Sequence, residues 1–452
     1  MEKIVSEIAG TFIKNIVDIL SVGETLENIE VLVLDEVKSC ASNMVAAYAT
    51  TVNNAIVEEK AGRRKAGYVV ERHNDERKIH CLFGLLTINR TLFKKAAGGY
   101  EYLADTALGI EPRSRVSTAA SLALIKTAKE VSYARASKYI TSGEISRQTV
   151  MGKVRRGRAV EDVSEALRRV PELHIDADED HVTLVGGVNT EVPLISVYEG
   201  IGSKGKRTFC KNVFHISEYG KTPDDLWEQA LTEIERRYDL TDTKIYLHGD
   251  GANWVKKGLE WLPNAIFVLD KYHKNKAIKS ITAGLEKDKR KSFDKAIREA
   301  LSNEDIQLYR DIMRCLCDEM PERAVKIWDS AVYLANFVKG ISICDKDPSA
   351  NNGGCTEPHV SHILSARLST RPMAWSKETL KQLVPVLAAK QITLQQPQPE
   401  PIVIPRPLRK ITTKARKEFL KRATGLPHPN AIGTLPICGK TTGTQVLLKQ
   451  FA

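Results

Sequence analysis

The hydrophobic period of the chain changes several times, and each change marks a different kind of element. Over the first sixty residues apolar side chains recur three and four apart (Ile4, Ile8, Phe12, Ile16, Ile19), and a second periodic run follows from Val31 to Val57. That spacing gathers one apolar stripe per helix and predicts two or three helices. Beyond the basic joint Arg63-Arg64-Lys65, residues 67–93 shift to short β-branched and aromatic runs with Gly84 at a turn. They predict a hairpin or three-stranded sheet.

Helical spacing returns over residues 115–160. The run Ser132–Ile140, the turn Thr141-Ser142-Gly143-Glu144 and a second run from Ile145 to Arg156, capped by Ser146, form a helix-turn-helix pattern. Arg147, Gln148, Lys153, Arg155 and Arg156 suit a helix laid against DNA, its N-terminal polar residues near base edges. The alternative is a basic amphipathic hairpin that packs only on its neighbours.

From residue 172 the pattern is that of an α/β domain. Strands are expected at 173–177 running on through 181–187, at 192–199 and at 207–217. A helix follows from Pro223 to Arg237, with Pro223, Asp224 and Asp225 suited to its N-terminus. Next come a strand at Lys244–Leu247, a helix near 252–261 and a strand at Ala265–Leu269. Three antiparallel strands, then helix, strand, helix, strand, is the order of the ribonuclease H-like fold. Residues 273–343 read as helix throughout, an all-α insertion before an amphipathic stretch that opens at Glu357. Residues 391–408, rich in Pro and Gln, read as an extended linker ahead of a basic run from Arg406 to Arg422.

Charge and cysteine content narrow the class. The 452 residues carry a net charge of +11, which fits a polyanionic partner because Lys and Arg release counterions from phosphates. No stretch approaches the apolar length of a membrane span, and the N-terminus lacks the basic start and apolar centre of a signal peptide. A cytoplasmic, nucleoid-associated protein is therefore expected. The eight cysteines are scattered, and the one close pair, Cys315 and Cys317, is too tight for a zinc knuckle.

Three acidic phrases carry the candidate chemistry: Asp178 in His-Ile-Asp-Ala-Asp-Glu-Asp-His-Val (174–182), Asp250 between Gly249 and Gly251, and Glu357 in Gly-Cys-Thr-Glu-Pro-His-Val-Ser-His (354–362). Carboxylates delivered from strand ends and a nearby helix can hold two divalent metals over a phosphodiester. Strand alternation places Asp176, Asp178 and Asp180 on one face and Glu179 on the other, with Asp176 the nearest rival to Asp178. Asp270 and His273, three apart at a strand-to-helix junction, are a candidate phosphate-binding or proton-shuttling pair, or simply a helix cap beside a solvated His.

The phrases Asp178–Val182, Gly249–Lys256, Leu269–His273, Glu357–His362 and Ser365–Ser376 resemble those of bacterial insertion-sequence transposases of the ISLre type, a group similar to the Mutator-like superfamily of DDE transposases. The resemblance spans about residues 67–380. It implies a ribonuclease H-like catalytic core with Asp178, Asp250 and Glu357 as the metal-binding triad for two Mg²⁺ ions, or Mn²⁺ as substitute. It also implies that Asp270 and His273 match a Cys/Asp-x-x-His motif beside the active site. Pro358 stands where relatives often carry Gly, and is compatible with a first helical turn.

The expected organisation is an N-terminal helical region (1–66), a small β-unit (67–114), a helix-turn-helix DNA-binding region (115–165), a core in two parts (166–273 and 351–390) around a helical insertion (274–350), and a linker with a basic tail (391–452). The expected activity is cleavage at the ends of an insertion sequence and joining of 3′-hydroxyls to target DNA. Partners are terminal inverted repeats and target DNA, bound by a homo-oligomer. The competing expectations are a ribonuclease H-like nuclease without strand transfer and a non-catalytic DNA-binding regulator.

Overall fold

Two long helices, α1 (Glu2–Ser21) and α2 (Leu26–Glu58), open the computed structural model, which describes residues 2–160 and 166–394. Thr25 caps α2, and α1 lies along it without fully burying any side chain. The last third of α2 is different: Ala49, Val52 and Ile56 pack on a small antiparallel sheet. Its strands are β1 (Tyr68–Cys81), β2 (Gly84–Lys95) and the short β3 (Tyr100–Glu101), in that order. The turn closes at Gly84, whose φ of +110° excludes most other residues. Arg77 and Arg90 both reach Asp105, so that this buried carboxylate has two cationic partners.

Helices at Thr118–Glu130, Tyr133–Thr141 and Arg147–Arg156 follow. Ser142 and Gly143, at φ of 52° and 86°, end the second of these, and Ser146 Oγ accepts from Thr149 N at 3.2 Å to start the third. A helix, a tight turn and a capped helix thus stand where the residue pattern requires them. They are not a separate body. Leu124, Val150 and Val154 share one core with Leu364, Leu368, Leu380 and Leu383 from the far end of the chain.

The short strand β4 (Gly157–Ala159) leads to the central sheet, built from β5 (Glu172–Thr183), β6 (Asn189–Tyr198), β9 (Phe214–Ile216), β10 (Lys244–Gly249) and β11 (Ala265–Leu269). Their order across the sheet is β11-β10-β5-β6-β9. β10 runs parallel to both β5 and β11, while β6 is antiparallel to β5 and β9. The protein is therefore a mixed α/β fold. The single strand expected over 207–217 is instead divided. β7 (Ile201–Lys204) and β8 (Arg207–Cys210) form their own hairpin, and Asn212 at φ 49° breaks the chain before β9.

Helices Pro223–Glu235 and Asn253–Trp261 cover one face of the sheet, where Trp227 is completely buried. Five helices between Lys271 and Lys346 form the insertion around a core of their own, including Ile278, Ile297, Leu316 and Ile327. The chain then returns through Thr356–Val360, a π-helical turn at Ser361–Ser365, and the helix Lys377–Ala388. Residues 392–394, expected to begin the linker, form β12 and pair antiparallel with β4. The Pro/Gln-rich stretch beyond 394 and the basic run 406–422 lie outside the described residues.

Trp227 fills the space above Gly258, where an added Cβ would fall 2.6 Å from the indole, and its Nε1 donates to Trp254 O at 2.7 Å. Trp227→Ala should cost about 3–5 kcal/mol, read as a lower denaturation midpoint. A loss below about 1 kcal/mol would mean that this face of the sheet repacks.

Candidate functional site

Alternation along β5 sends His174, Asp176, Asp178 and Asp180 to one face, and the three aspartates meet different partners there. Asp176 accepts from Tyr198 Oη at 3.0 and 3.1 Å and from Cys355 N at 3.0 Å, with His359 Nδ1 also 3.0 Å away. Asp180 accepts from Ser365 Oγ and Ser369 Oγ, each at 2.9 Å. Both carboxylates are thereby committed to holding the returning chain. Asp178, equally buried, accepts only from the neighbouring Glu179 N, at 2.9 Å. Of the two rivals named from sequence, Asp178 is the one left available for chemistry. Glu179, on the opposite face, accepts from Trp254 Nε1 at 2.6 Å.

β10 pairs with β5 so that His248 stands opposite Asp176, which brings the next turn, Asp250, to the level of Asp178. Asp250 Oδ1 accepts from Ala252 N at 2.8 Å, closing an Asx-type turn. The flanking glycines serve the turn itself. A Cβ on Gly251 would fall 2.1 Å from the Phe337 ring, and one on Gly249 would fall 2.9 Å from Ala177 O. These glycines are therefore required by packing around the turn. Tyr333 Oη also donates to Asp250 O at 2.8 Å, so the insertion rests directly on this turn.

Asp270 ends β11 and caps the next helix, accepting from Tyr272 N at 2.9 Å and His273 N at 3.3 Å. Its other oxygen accepts from Thr356 Oγ1 at 2.9 Å, which anchors the residue immediately before Glu357. His273 Nδ1 lies 3.3 Å from the same carboxylate. Asp270 is therefore a cap and an anchor at once. Glu357 itself is exposed, in the first turn of the Thr356–Val360 helix.

The electrostatics single out Asp178. Burial pushes its carboxyl up to about 7, and the charges of Glu179 and Asp250 push the same way against the backbone hydrogen bond and His273. His273 is raised by its hydrogen bond to Asp270 and, despite burial, by the charges of Asp178, Asp270 and Asp250. Asp178, Asp250 and His273 thus act on one another at the same end of the sheet. Among the described residues, no three His, Cys, Asp or Glu side chains stand close enough to hold one metal ion. The pair Asp178 and Asp250 nonetheless fits a divalent cation in its chemistry. Both offer hard oxygen donors, and the Asp178 carboxyl, pushed up to about 7 by burial and by the charges of Glu179 and Asp250, would be drawn back down by a bound cation.

The surface candidates divide. Arg147 and Gln148 are exposed at the start of their helix. Lys153, Arg155 and Arg156 are not free: Lys153 is buried and bonds Ser114 Oγ at 3.3 Å, Arg155 reaches Thr379 Oγ1 at 3.5 Å, and Arg156 forks onto Glu111 at 2.8 and 3.1 Å. Lys153 is thus turned into the protein, while Arg155 and Arg156 are half-buried and hold partners within it. Exposed Arg135, Lys138 and Tyr139 in the preceding helix were overlooked in the sequence. So were the positioning residues Tyr198, Thr356 and His359. His359 and Thr356 stood within the Glu357 phrase, but nothing in the pattern of Tyr198 distinguished it from a core aromatic.

These features define a mixed α/β protein in which Asp178, midway along β5, stands near Asp250, just past the end of the adjacent parallel strand β10, with a long helical insertion resting on the Asp250 turn. The chain belongs to the uncharacterised protein family UPF0236, whose model matches residues 20–396. A family member from Caldanaerobacter subterraneus subsp. tengcongensis is 34% identical over 369 residues, covering 80% of this chain and 78% of that protein. Another from the same organism, whose name joins eleven designations, is 33% identical over 369 residues, covering 80% and 77%. A Streptococcus gallolyticus relative named for the vanSb 3′ region is 25% identical over 345 residues, covering 72% and 74%.

Asp178 should govern the pH dependence of stability. Its folded value of about 7 lies above the ordinary carboxylate value, so the native state binds the extra proton and stability falls as pH rises between roughly 4 and 7. Asp178→Asn should remove that fall and raise metal-free stability at pH 7.5 by on the order of 1–3 kcal/mol, with the gain shrinking towards pH 4. Thermal unfolding of both proteins across that range checks it. A variant less stable than wild type at pH 7.5 would show that Asp178 is a paired, structural acid.

Proposed function

We propose that the protein is a DNA transposase with a ribonuclease H-like core, acting at the ends of an insertion sequence and joining 3′-hydroxyls to target DNA. The observation that carries this reading is the placement of Asp178 and Asp250 side by side on the first and fourth strands of the central sheet. The strand order, counted along the sheet as third, second, first, fourth, fifth with the second reversed, supports it. Support of another kind comes from the relative whose name joins eleven designations within one organism. Repeated copies in one genome are what a mobile gene leaves behind.

In this reading Asp178 and Asp250 would hold Mg²⁺, or Mn²⁺ in its place, and Glu357, which does not group with them among the described residues, would have to move in to complete the triad; the ion when bound supplies Lewis acidity for displacement at phosphorus. Asp176 and Asp180 fix the returning segment to β5, and Asp270 holds Thr356, the residue before Glu357. His273, whose pKa the neighbouring Asp270 raises, would offer its charge to the phosphate or a proton to the leaving oxygen. The helices Tyr133–Thr141 and Arg147–Arg156 would bind the element's terminal repeats through Arg147 and Gln148, with Arg135 and Lys138 on phosphates.

Asp250→Asn should reduce Mg²⁺-dependent nicking of DNA carrying the inverted ends by about 100-fold or more, while binding stays within a few-fold. Nicking at the wild-type rate would remove Asp250 from the site. Transfer of pre-cleaved 3′ ends into a target plasmid distinguishes a transposase from a nuclease that only cuts. For recognition, Arg147→Ala and Gln148→Ala should each lower the preference for terminal-repeat over random DNA by about 1–3 kcal/mol. Arg156→Ala should act on thermal stability through Glu111. An unchanged preference in the first two variants would move recognition elsewhere.

A further inference from the structure

The short hairpin of β7 and β8 stands beside the segment that brings the chain back from the insertion. Cys210 ends β8 opposite Ile201, and Lys211 N donates to Gly200 O at 3.0 Å, which fixes the base of the hairpin at Gly200. Gly200 in turn abuts the returning chain: a Cβ added to it would fall 3.6 Å from Asn352 Cβ and 3.8 Å from Asn352 O. Across this contact Gly354 N donates to Tyr198 Oη at 2.9 Å, and Cys355 N donates to Asp176 at 3.0 Å. Backbone pairing on both sides therefore brings two cysteines together from distant parts of the chain.

The thiols of Cys210 and Cys355 are hydrogen-bonded to each other, and both lie next to Tyr198. Each is partly exposed, so a small solute can reach it. Neither sulfur has a part in holding this face together, since Asp176 takes the backbone N–H of Cys355 and not its side chain. Other cysteines lack this arrangement. Cys40 and Cys81 are buried, and Cys315 and Cys317, two apart on one helix, point in different directions.

We propose that Cys210 and Cys355 are a site of reversible oxidation by hydrogen peroxide, and that the resulting disulfide restrains the segment carrying Glu357. In the first step one sulfur, as its thiolate, attacks a peroxide oxygen. An S–O bond forms, the O–O bond breaks, and the departing hydroxide takes up the thiol proton as water. In the second step the other sulfur displaces the new hydroxyl. An S–S bond forms, the S–O bond breaks, and a second water leaves with the remaining thiol proton. The peroxide gains two electrons and the sulfur pair loses two. The disulfide joins β8 to the residue two before Glu357, which stands exposed and does not group with Asp178 and Asp250 among the described residues. A staple there keeps it apart from them. This consequence rests on the transposase reading above; formation of the disulfide does not.

Peptide mass mapping of the full chain after treatment with hydrogen peroxide tests the chemistry without DNA. Wild type should yield a peptide pair cross-linked through Cys210 and Cys355, which dithiothreitol releases, and Cys210→Ser should yield none. Oxidation at Cys315 or Cys344 while Cys210 and Cys355 remain free thiols would overturn the proposal. Mg²⁺-dependent nicking tests the consequence. The cross-linked protein should nick about 10-fold or more slowly than the reduced form. Dithiothreitol should restore the rate, and peroxide should leave Cys210→Ser unaffected. Undiminished nicking by cross-linked protein, or peroxide inhibition without the cross-link, would refute the restraint. Absence of nicking even by reduced protein would remove the restraint together with the transposase reading, and the cross-linked peptide would still decide the oxidation site.

Discussion

Two buried carboxylates tie the central sheet of this protein to the chain that returns from the insertion. Asp176 and Asp270 lie deep at strand positions where an unpartnered charge would cost several kcal/mol. Each is satisfied by the same short segment, residues 354–359, which reaches the sheet only after the whole helical insertion has looped out and come back. The chain leaves at Asp270 and returns at Thr356 with those two residues hydrogen-bonded to each other. Closing a long loop costs little more than closing a shorter one, since the entropy grows only with the logarithm of length. A five-helix insertion with its own core is thus compatible with a precisely placed return.

The same face shows how one strand can both build a site and equip it. On β5, hydroxyls, a backbone N–H and an imidazole gather at Asp176 and two hydroxyls at Asp180, and these contacts tie the returning chain to the strand. Asp178, between them, accepts from the backbone N–H of Glu179 and shares its surroundings with other acids. The neighbours serve position, while Asp178 lies where positive charge would be favoured.

Much of this was legible in the residues. Period changes located the helical arm, the small sheet, the alternating strands and the all-α insertion, because each element keeps one side against a core. The alternation of acids along 176–180 followed from strand geometry alone. What escaped was decided by tertiary partners. Lys153, Arg155 and Arg156 look like a solvent-facing basic run until Ser114, Glu111 and, from more than two hundred residues away, Thr379 of the helix Lys377–Ala388 are packed beside them. The split of 207–217 turned on Asn212 entering a left-handed conformation, and the glycines around Asp250 turned on an aromatic ring from the insertion.

That ring has a thermodynamic implication. Phe337 seats against Gly251 and Tyr333 grips the carbonyl of Asp250, so the position of the insertion and the geometry of one key carboxylate are a single structural variable. A ligand that shifted the insertion would also alter the affinity of the carboxylates for a cation, and by reciprocity a cation bound there would alter the insertion's affinity for that ligand by the same factor. The five helices are in this sense a lever whose short arm is the Asp250 turn.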